Sequence, residues 1–184
     1  RLVDSPKYML ATPMMALRNA AKKAEKEGFI PIILSDSLEG EASIEGKEMA
    51  ELAIKIKNDK KFKNIDLCKP ILLLSGGETT VTVKGNGKGG RNTEFMLSMA
   101  INLDKTSGIN ALAIDTDGID GKEDNAGAYI SQETLKKADF HKINPQHYLE
   151  NNDSYSFFKL IDDLIYTSPT LTNVNDFRAV LIQP

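Results

Sequence analysis

Tryptophan is absent, cysteine occurs once and histidine twice. A lone thiol, Cys68, excludes an internal disulfide and fits a reducing cytoplasm. No base stands near it in sequence, so it is not assigned as a nucleophile. His141 and His147 have no Cys or acidic partner at metal-ligand spacing, and neither is assigned a role. Long hydrophobic runs are missing too. Stretches such as residues 29–34 (FIPIIL) fall far short of the about 20 apolar residues that span a bilayer, and no signal-peptide pattern is present. Charge of one sign is also lacking. Lys and Arg total 23 against 26 Asp and Glu, a net charge of −3, so no overall basic field draws nucleic acid. The chain opens on Arg1 without an initiator Met, and is expected to be a piece of something longer. At 184 residues it is one domain, or one domain plus part of another.

What is present alternates between apolar runs and polar loops. The lead-in 1–10 carries a turn signal at Asp4-Ser5-Pro6. Thr12 and Pro13 read as cap and first residue of a helix that stops at Gly28. Residues 29–34 predict a strand, away from a fully paired central position because of Pro31. Residues 35–45 (SDSLEGEASIE) read as a polar loop. Met49, Leu52, Ala53 and Ile56 have helical spacing, and residues 58–64 form a Lys-rich connection. Residues 71–74 (ILLL) suit a strand buried on both faces. Gly76-Gly77 then suggests a turn, and 79–83 (TTVTV) a second strand, so that 71–83 is expected to be a hairpin in a mixed sheet. A helix with Phe95, Met96, Met99, Ala100 and Leu103 on one side follows. After it come a buried strand at 109–114, a helix capped by Ser131, an irregular polar stretch at 139–152, a helix capped by Asp153, and a last strand at 177–182. This alternation predicts an α/β layered sandwich with a mixed β-sheet flanked by helices.

Three polar loops carry the candidate chemistry: 75–80 with 85–94, then 115–121, then 168–176. In layered α/β proteins, loops at strand ends build sites. Four glycines fall within residues 85–90 (GNGKGG), ahead of Arg91 and Asn92 at an expected helix start. Backbone N–H groups, a helix N-terminus and a guanidinium are together suited to an anion. The pattern lacks the Ser or Thr of a phosphate loop, so a flexible hairpin tip explains the glycines equally well. For Arg91 the plain alternative is a surface ion pair with Glu94. Gly76, Gly77, Glu78 and Thr79 flank the same place, with Glu78 able to orient Arg91 or a substrate hydroxyl. The run DTDGIDG puts Asp115, Asp117 and Asp120 at one strand end, which suits Mg²⁺; turn and capping roles compete for the same residues. An EF-hand is rejected, because its twelfth position would be Ala126. Thr170, Asn173 and Asp176 sit in a loop able to bond substrate hydroxyls, or to form turns.

Together, LSGGETTVTVKGNGKGGRNTEF, DTDGIDG, DSYSFF and TSPTLTNVNDFRAVLI resemble, in that order, the C-terminal MOFRL region of the glycerate 2-kinases, which are also labelled hydroxypyruvate reductases. The segment 11–42, including GFIPIILSDSLEGEA, resembles what precedes that region. The resemblance divides the chain into a lead-in α/β segment, 1–66, and a MOFRL-like α/β domain, 67–184. It implies a cytoplasmic enzyme whose site lies between this part and a preceding Rossmann-like domain that supplies an essential Lys. The implied reaction is ATP- and Mg²⁺-dependent phosphorylation of D-glycerate, usually to 2-phosphoglycerate. Arg91 matches the essential Arg of the GGRN run. Gly76, Gly77, Glu78, Thr79, Gly89, Gly90, Asn92, Thr170, Asn173 and Asp176 are then expected to bind substrate or phosphate, with N–H groups of Gly89 and Gly90 on the anion. Asp117 or Asp120 is expected to hold Mg²⁺. A homodimer is a candidate assembly; nucleic acid and membrane are not expected partners. The chain departs from the family at Thr93, where Gln is frequent, and at Leu171, where Gly is frequent. A non-catalytic anion- or nucleotide-binding module and a hydroxypyruvate reductase are the alternatives. The reductase reading lacks a dinucleotide fingerprint.

Overall fold

The computed structural model describes residues 11–59, 69–104 and 106–184. The 1–10 lead-in, the Lys-rich connection from residue 60 onward, and Cys68 lie outside them. The first helix, α1 (Pro13–Lys26), follows its sequence signals closely: Thr12 accepts a hydrogen bond from the Met15 N–H, and Pro13 opens the helix. Gly28 turns the chain with φ +88°, a conformation glycine adopts without strain. β1 (Ile30–Glu41) and α2 (Ala42–Asn58) follow, then β2 (Ile71–Thr80), α3 (Arg91–Leu103) and β3 (Ile109–Asp115). The chain ends with β4 (Gly127–Ile130), α4 (Thr134–Phe140), α5 (Pro145–Glu150), α6 (Ser154–Leu160), β5 (Leu164–Ile165) and β6 (Asp176–Ile182).

The six strands form one sheet in the order β1-β2-β6-β3-β4-β5. β1 runs parallel to β2, while β6 is antiparallel to both β2 and β3. The sheet is therefore mixed, but not for the expected reason. The 71–83 hairpin does not form. β2 continues straight through Gly76 and Gly77, because β1 and β6 pair with it on both sides. Gly77, at φ +122°, lets Leu38 of β1 approach: a Cβ there would stand 2.2 Å from the Leu38 nitrogen. The expected loop at 35–45 is likewise overturned. β1 runs on to Glu41 with register shifts between Ile33 and Leu38. β1 is the edge strand of the sheet, and its residues 34–41 are half-buried or exposed, so its polar side chains keep access to water. The 139–152 stretch contains α5, with Asn144 as cap and Pro145 at its start.

Period-two alternation divides each strand between two faces. Leu73, Ala113, Val180 and Ile182 face α2 and α3, where Met49, Ala53, Phe95, Met96 and Met99 complete the core. α1 covers part of the opposite face, with Leu17 against Gly76. β2 and β3 end, and β6 begins, at one rim of the sheet, and α3 starts there. No helix among the described residues is long and apolar enough to cross a membrane.

Candidate functional site

Arg91 is the first residue of α3, and its guanidinium lies where the three polar loops meet. Nη1 donates to Glu78 at the end of β2 (2.9 Å), Nη2 to Asp115 at the end of β3 (2.7 Å), and Nε to both oxygens of Asp176 at the start of β6 (2.9 and 3.1 Å). Strand ends separated by 98 residues of sequence thus close on one cation. The arginine side chain keeps 26% of its surface exposed, Glu78 more, and Asp115 and Asp176 almost none. Burial alone lowers the Arg91 pKa, but Asp176, Asp115 and Glu78 together raise it above its ordinary value. For Asp115 burial dominates and pushes the carboxyl up to about 6, against the pull of the Asp117 N–H and of Arg91. Arg91 is not paired with Glu94, which turns inward and accepts from Asn152.

Gly90 precedes α3 and has no side chain to cap it. The cap arrives from another loop. Asp120, with no exposed surface, accepts from the backbone N–H groups of Asn92 (2.9 Å) and Thr93 (2.8 Å). This uses both carboxylate oxygens on the orphan donors of a helix start. Burial raises the Asp120 pKa, while the bonds from Asn92 and Thr93 oppose the rise. The structure thus commits Asp120 to holding α3 in place. Asp117 is half-buried, and its Oδ1 accepts from the Ile119 N–H. Among the described residues no group of three or more His, Cys, Asp or Glu side chains is arranged to hold a metal. Mg²⁺ often needs only one or two protein carboxylates, with water and phosphate as its other ligands. The acid-rich rim of Glu78, Asp115 and Asp117 fits that mode.

The Gly-rich loop is packed against its own chain. A Cβ on Gly85 or Gly87 would stand within 2.6 Å of the Asn151 carbonyl, one on Gly89 2.3 Å from Ser154 Oγ, and one on Gly90 2.4 Å from Asp120. Asn151, Asn152 and Asp153 accept from the N–H groups of Asn86, Lys84, Gly85 and Lys88. Close backbone approach therefore requires glycine at each of these positions. The Gly90 N–H already donates to Thr93 Oγ1, so it is not free for an anion. Asp153 does precede α6, but its carboxylate serves Lys88 and Ser156 in place of a capping bond.

The remaining candidates divide by reach. Thr79, Asn92 and Asp176 are buried beneath Arg91, where Asn92 donates to Asp176 and Thr79 accepts from Arg178. Gly76 and Gly77 lie within β2, with Gly76 close to the backbone of Asp36 and of Asp176. Thr170 and Asn173 are exposed. Thr170 bonds the carbonyl of Thr116, its N–H reaches the Asp117 carbonyl, and Asn173 accepts from Asn175. This docks loop 168–176 on loop 115–121, whose Gly118 lies against Ser168. Leu171 stands at φ +59° and is 97% exposed. Asp115 and Arg178 carry more of the site than the sequence assigned them. The sign for Arg178 was present: it occupies an inward position of β6 in step with Val180 and Ile182. A cavity of about 600 Å³ lined by Ile101, Asp104, Leu135, Lys136, Asn144 and Gln146 lies away from this rim.

Residues 71–176 match the model of the MOFRL family. A protein of Agrobacterium vitis bearing the name hydroxypyruvate reductase is 49% identical over 98% of this chain and 46% of its own length. The D-glycerate 2-kinase of Thermotoga maritima is 39% identical over 98% of this chain and 44% of its own. The crystal structure of a Thermotoga maritima glycerate kinase superposes with a TM-score of 0.90 at 38% identity, covering 99% of this chain and 43% of that one. The chain spans less than half the length of these relatives. With a matching sequence model over most of its length and a matching fold over nearly all of it, the chain belongs to the MOFRL family.

Proposed function

We propose that this chain supplies one wall of the active site of an ATP-dependent kinase that phosphorylates D-glycerate, giving 2-phosphoglycerate. The observation that carries the reading is the Arg91 guanidinium, fixed at the open end of α3 by carboxylates from three strand ends. The names of relatives such as the D-glycerate 2-kinase of Thermotoga maritima support the substrate and reaction class. The rest of the site, including the essential Lys, comes from a Rossmann-like domain that precedes this part. A single cysteine fits a cytoplasmic enzyme.

Phosphoryl transfer asks a protein for position and charge neutralisation more than for covalent chemistry. A glycerate hydroxyl oxygen forms its bond to the γ-phosphorus while the bond from that phosphorus to the bridging oxygen breaks. ADP leaves with the bonding pair, and the hydroxyl proton passes to solvent or a base. Arg91 has five N–H groups, of which its three partners engage one each on Nε, Nη1 and Nη2. The remaining N–H on each Nη is left to reach the transferring group or the glycerate carboxylate. Three carboxylates face two guanidinium groups, Arg91 and the buried Arg178, so the rim has a slight acidic excess. Such a rim repels bare polyphosphate and accepts it as a magnesium complex. Asp117, beside Asp115, would hold Mg²⁺, which when bound neutralises phosphate oxygens. Loop 168–176 would border the substrate.

The test is glycerate-dependent ADP release by the full-length protein, with 2-phosphoglycerate as product. Oxidation of NADH or NADPH by hydroxypyruvate without ADP release supports the reductase reading instead. Nucleotide binding without turnover supports the non-catalytic module.

A further inference from the structure

Arg178 is the largest fully buried side chain of the described residues, 1% exposed in the middle of β6. In register it stands opposite Ser75 of β2 and Ala113 of β3. Its guanidinium lies 4.9 Å from the centre of the Phe95 ring. Nη2 donates to Asp176 Oδ2 (2.6 Å) and to Thr79 Oγ1 (3.1 Å), while Nε and Nη1 have no hydrogen-bond partner among the described residues. Burial lowers its pKa, against the attraction of Asp176. A buried cation with two unpaired N–H groups is an expensive way to fill a core, because those donors give up water and gain no acceptor. Packing does not account for an arginine here.

Its partner does. Asp176 has no exposed side-chain surface and collects Arg91 Nε, Asn92 Nδ2 and Arg178 Nη2 on two oxygens. One guanidinium approaches this carboxylate from the rim and the other from the core. Without Arg178, Asp176 Oδ2 keeps only the longer of the two Arg91 Nε bonds, at 3.1 Å, and the rim tips further towards negative. We propose that Arg178 is a positioning residue for the phosphoryl-transfer reaction: it fixes Asp176 from below, and Asp176 in turn fixes the Arg91 guanidinium. Arg178 touches no substrate. This rests on the kinase reading for its kinetic consequence but not for its structural one.

The experiment uses the full-length protein with Arg178→Met, Arg178→Gln and Arg178→Lys, alone and combined with Arg91→Ala. The Met and Gln variants are expected to lose at least about tenfold in kcat, with KM for ATP within about twofold, and to show a lower Tm, because Asp176 stays buried with one cation fewer. Arg178→Lys, which keeps the charge, recovers most of kcat. In the Arg91→Ala background, Arg178→Met changes kcat by less than about twofold, because the two act as one unit. Independent, multiplicative losses overturn the proposal, as does a wild-type kcat in a folded Met or Gln variant. A crystal structure of whichever charge-removing variant folds is a second readout that needs no turnover. Arg91 Nε is expected to leave Asp176; an Arg91 unmoved on Glu78, Asp115 and Asp176 refutes the relay. Absence of glycerate-dependent ADP release from the wild type fails the kinase reading alone, and the crystal structure still decides the role of Arg178.

Discussion

Replacing Asp120 by Ala removes the carboxylate that accepts from the first N–H groups of α3, a helix preceded by glycine. The Asn92 and Thr93 N–H groups then lose their acceptor in a place with no exposed surface. Each buried orphan donor costs about 1–3 kcal/mol, and loss of a negative charge at a helix N-terminus adds about 0.3–2 kcal/mol. Neither Asn92 Nδ2 nor Thr93 Oγ1 needs counting fully, since each has a second partner, Asp176 and Gly90 respectively. The expected loss is about 3–5 kcal/mol for Asp120→Ala. Asp120→Asn keeps one acceptor but points an amide N–H₂ at a backbone N–H, and should cost about half as much. Urea unfolding at pH 7, read as midpoint shifts at constant slope, measures both. A loss below about 1 kcal/mol for the Ala variant would refute the capping argument. Because Arg91 is the residue that opens α3, the Ala variant should also lose activity more steeply than stability alone explains.

Two further outcomes follow from other parts of the site. The folded-state pKa of Asp115, about 6, lies above its ordinary value of 3.8, so the folded chain holds that proton more tightly than the unfolded one. Stability should therefore fall as pH rises through this window, by up to about 3 kcal/mol from this group. Asp115→Asn should abolish that slope in unfolding measurements, and parallel curves for the two proteins would contradict it. Leu171 holds φ +59° with 97% of its surface exposed, so it bears backbone strain without burial in return. Leu171→Gly should leave stability unchanged or raise it by up to about 1 kcal/mol in the same assay; a clear loss would show that loop 168–176 depends on the leucine side chain.

Much of the fold was legible because local signals and tertiary demands agreed. Thr12, Pro13 and Gly28 set the bounds of α1, and the apolar runs at 71–74 and 109–114 became central strands. The failures have physical causes. Gly76-Gly77 carries a turn signal, but two neighbouring strands pair through it, and the glycines serve an approach by Leu38 instead. The polar run 35–41 continues β1 because an edge strand tolerates polar residues. Asn144-Pro145 was a legible helix start that polar neighbours obscured. At the site, the gathering of loops around Arg91 could be anticipated from their positions at strand ends. The identity of its partners could not. Glu94 is the near acid in sequence, yet the helix rotates it inward and leaves Arg91 to Glu78, Asp115 and Asp176. The Gly-rich loop carries a demand that the sequence did not signal: its four glycines are required by contacts with Asn151, Asp153, Ser154 and Asp120.

The measurement that bears most directly on the account is turnover of the full-length protein with Arg91→Ala, at saturating ATP and glycerate. A fall in kcat of about 10³-fold is expected, as for an arginine that stabilises transferring phosphoryl charge. A fall smaller than about tenfold, worth about 1.4 kcal/mol, would place Arg91 outside the transition state and contradict that role.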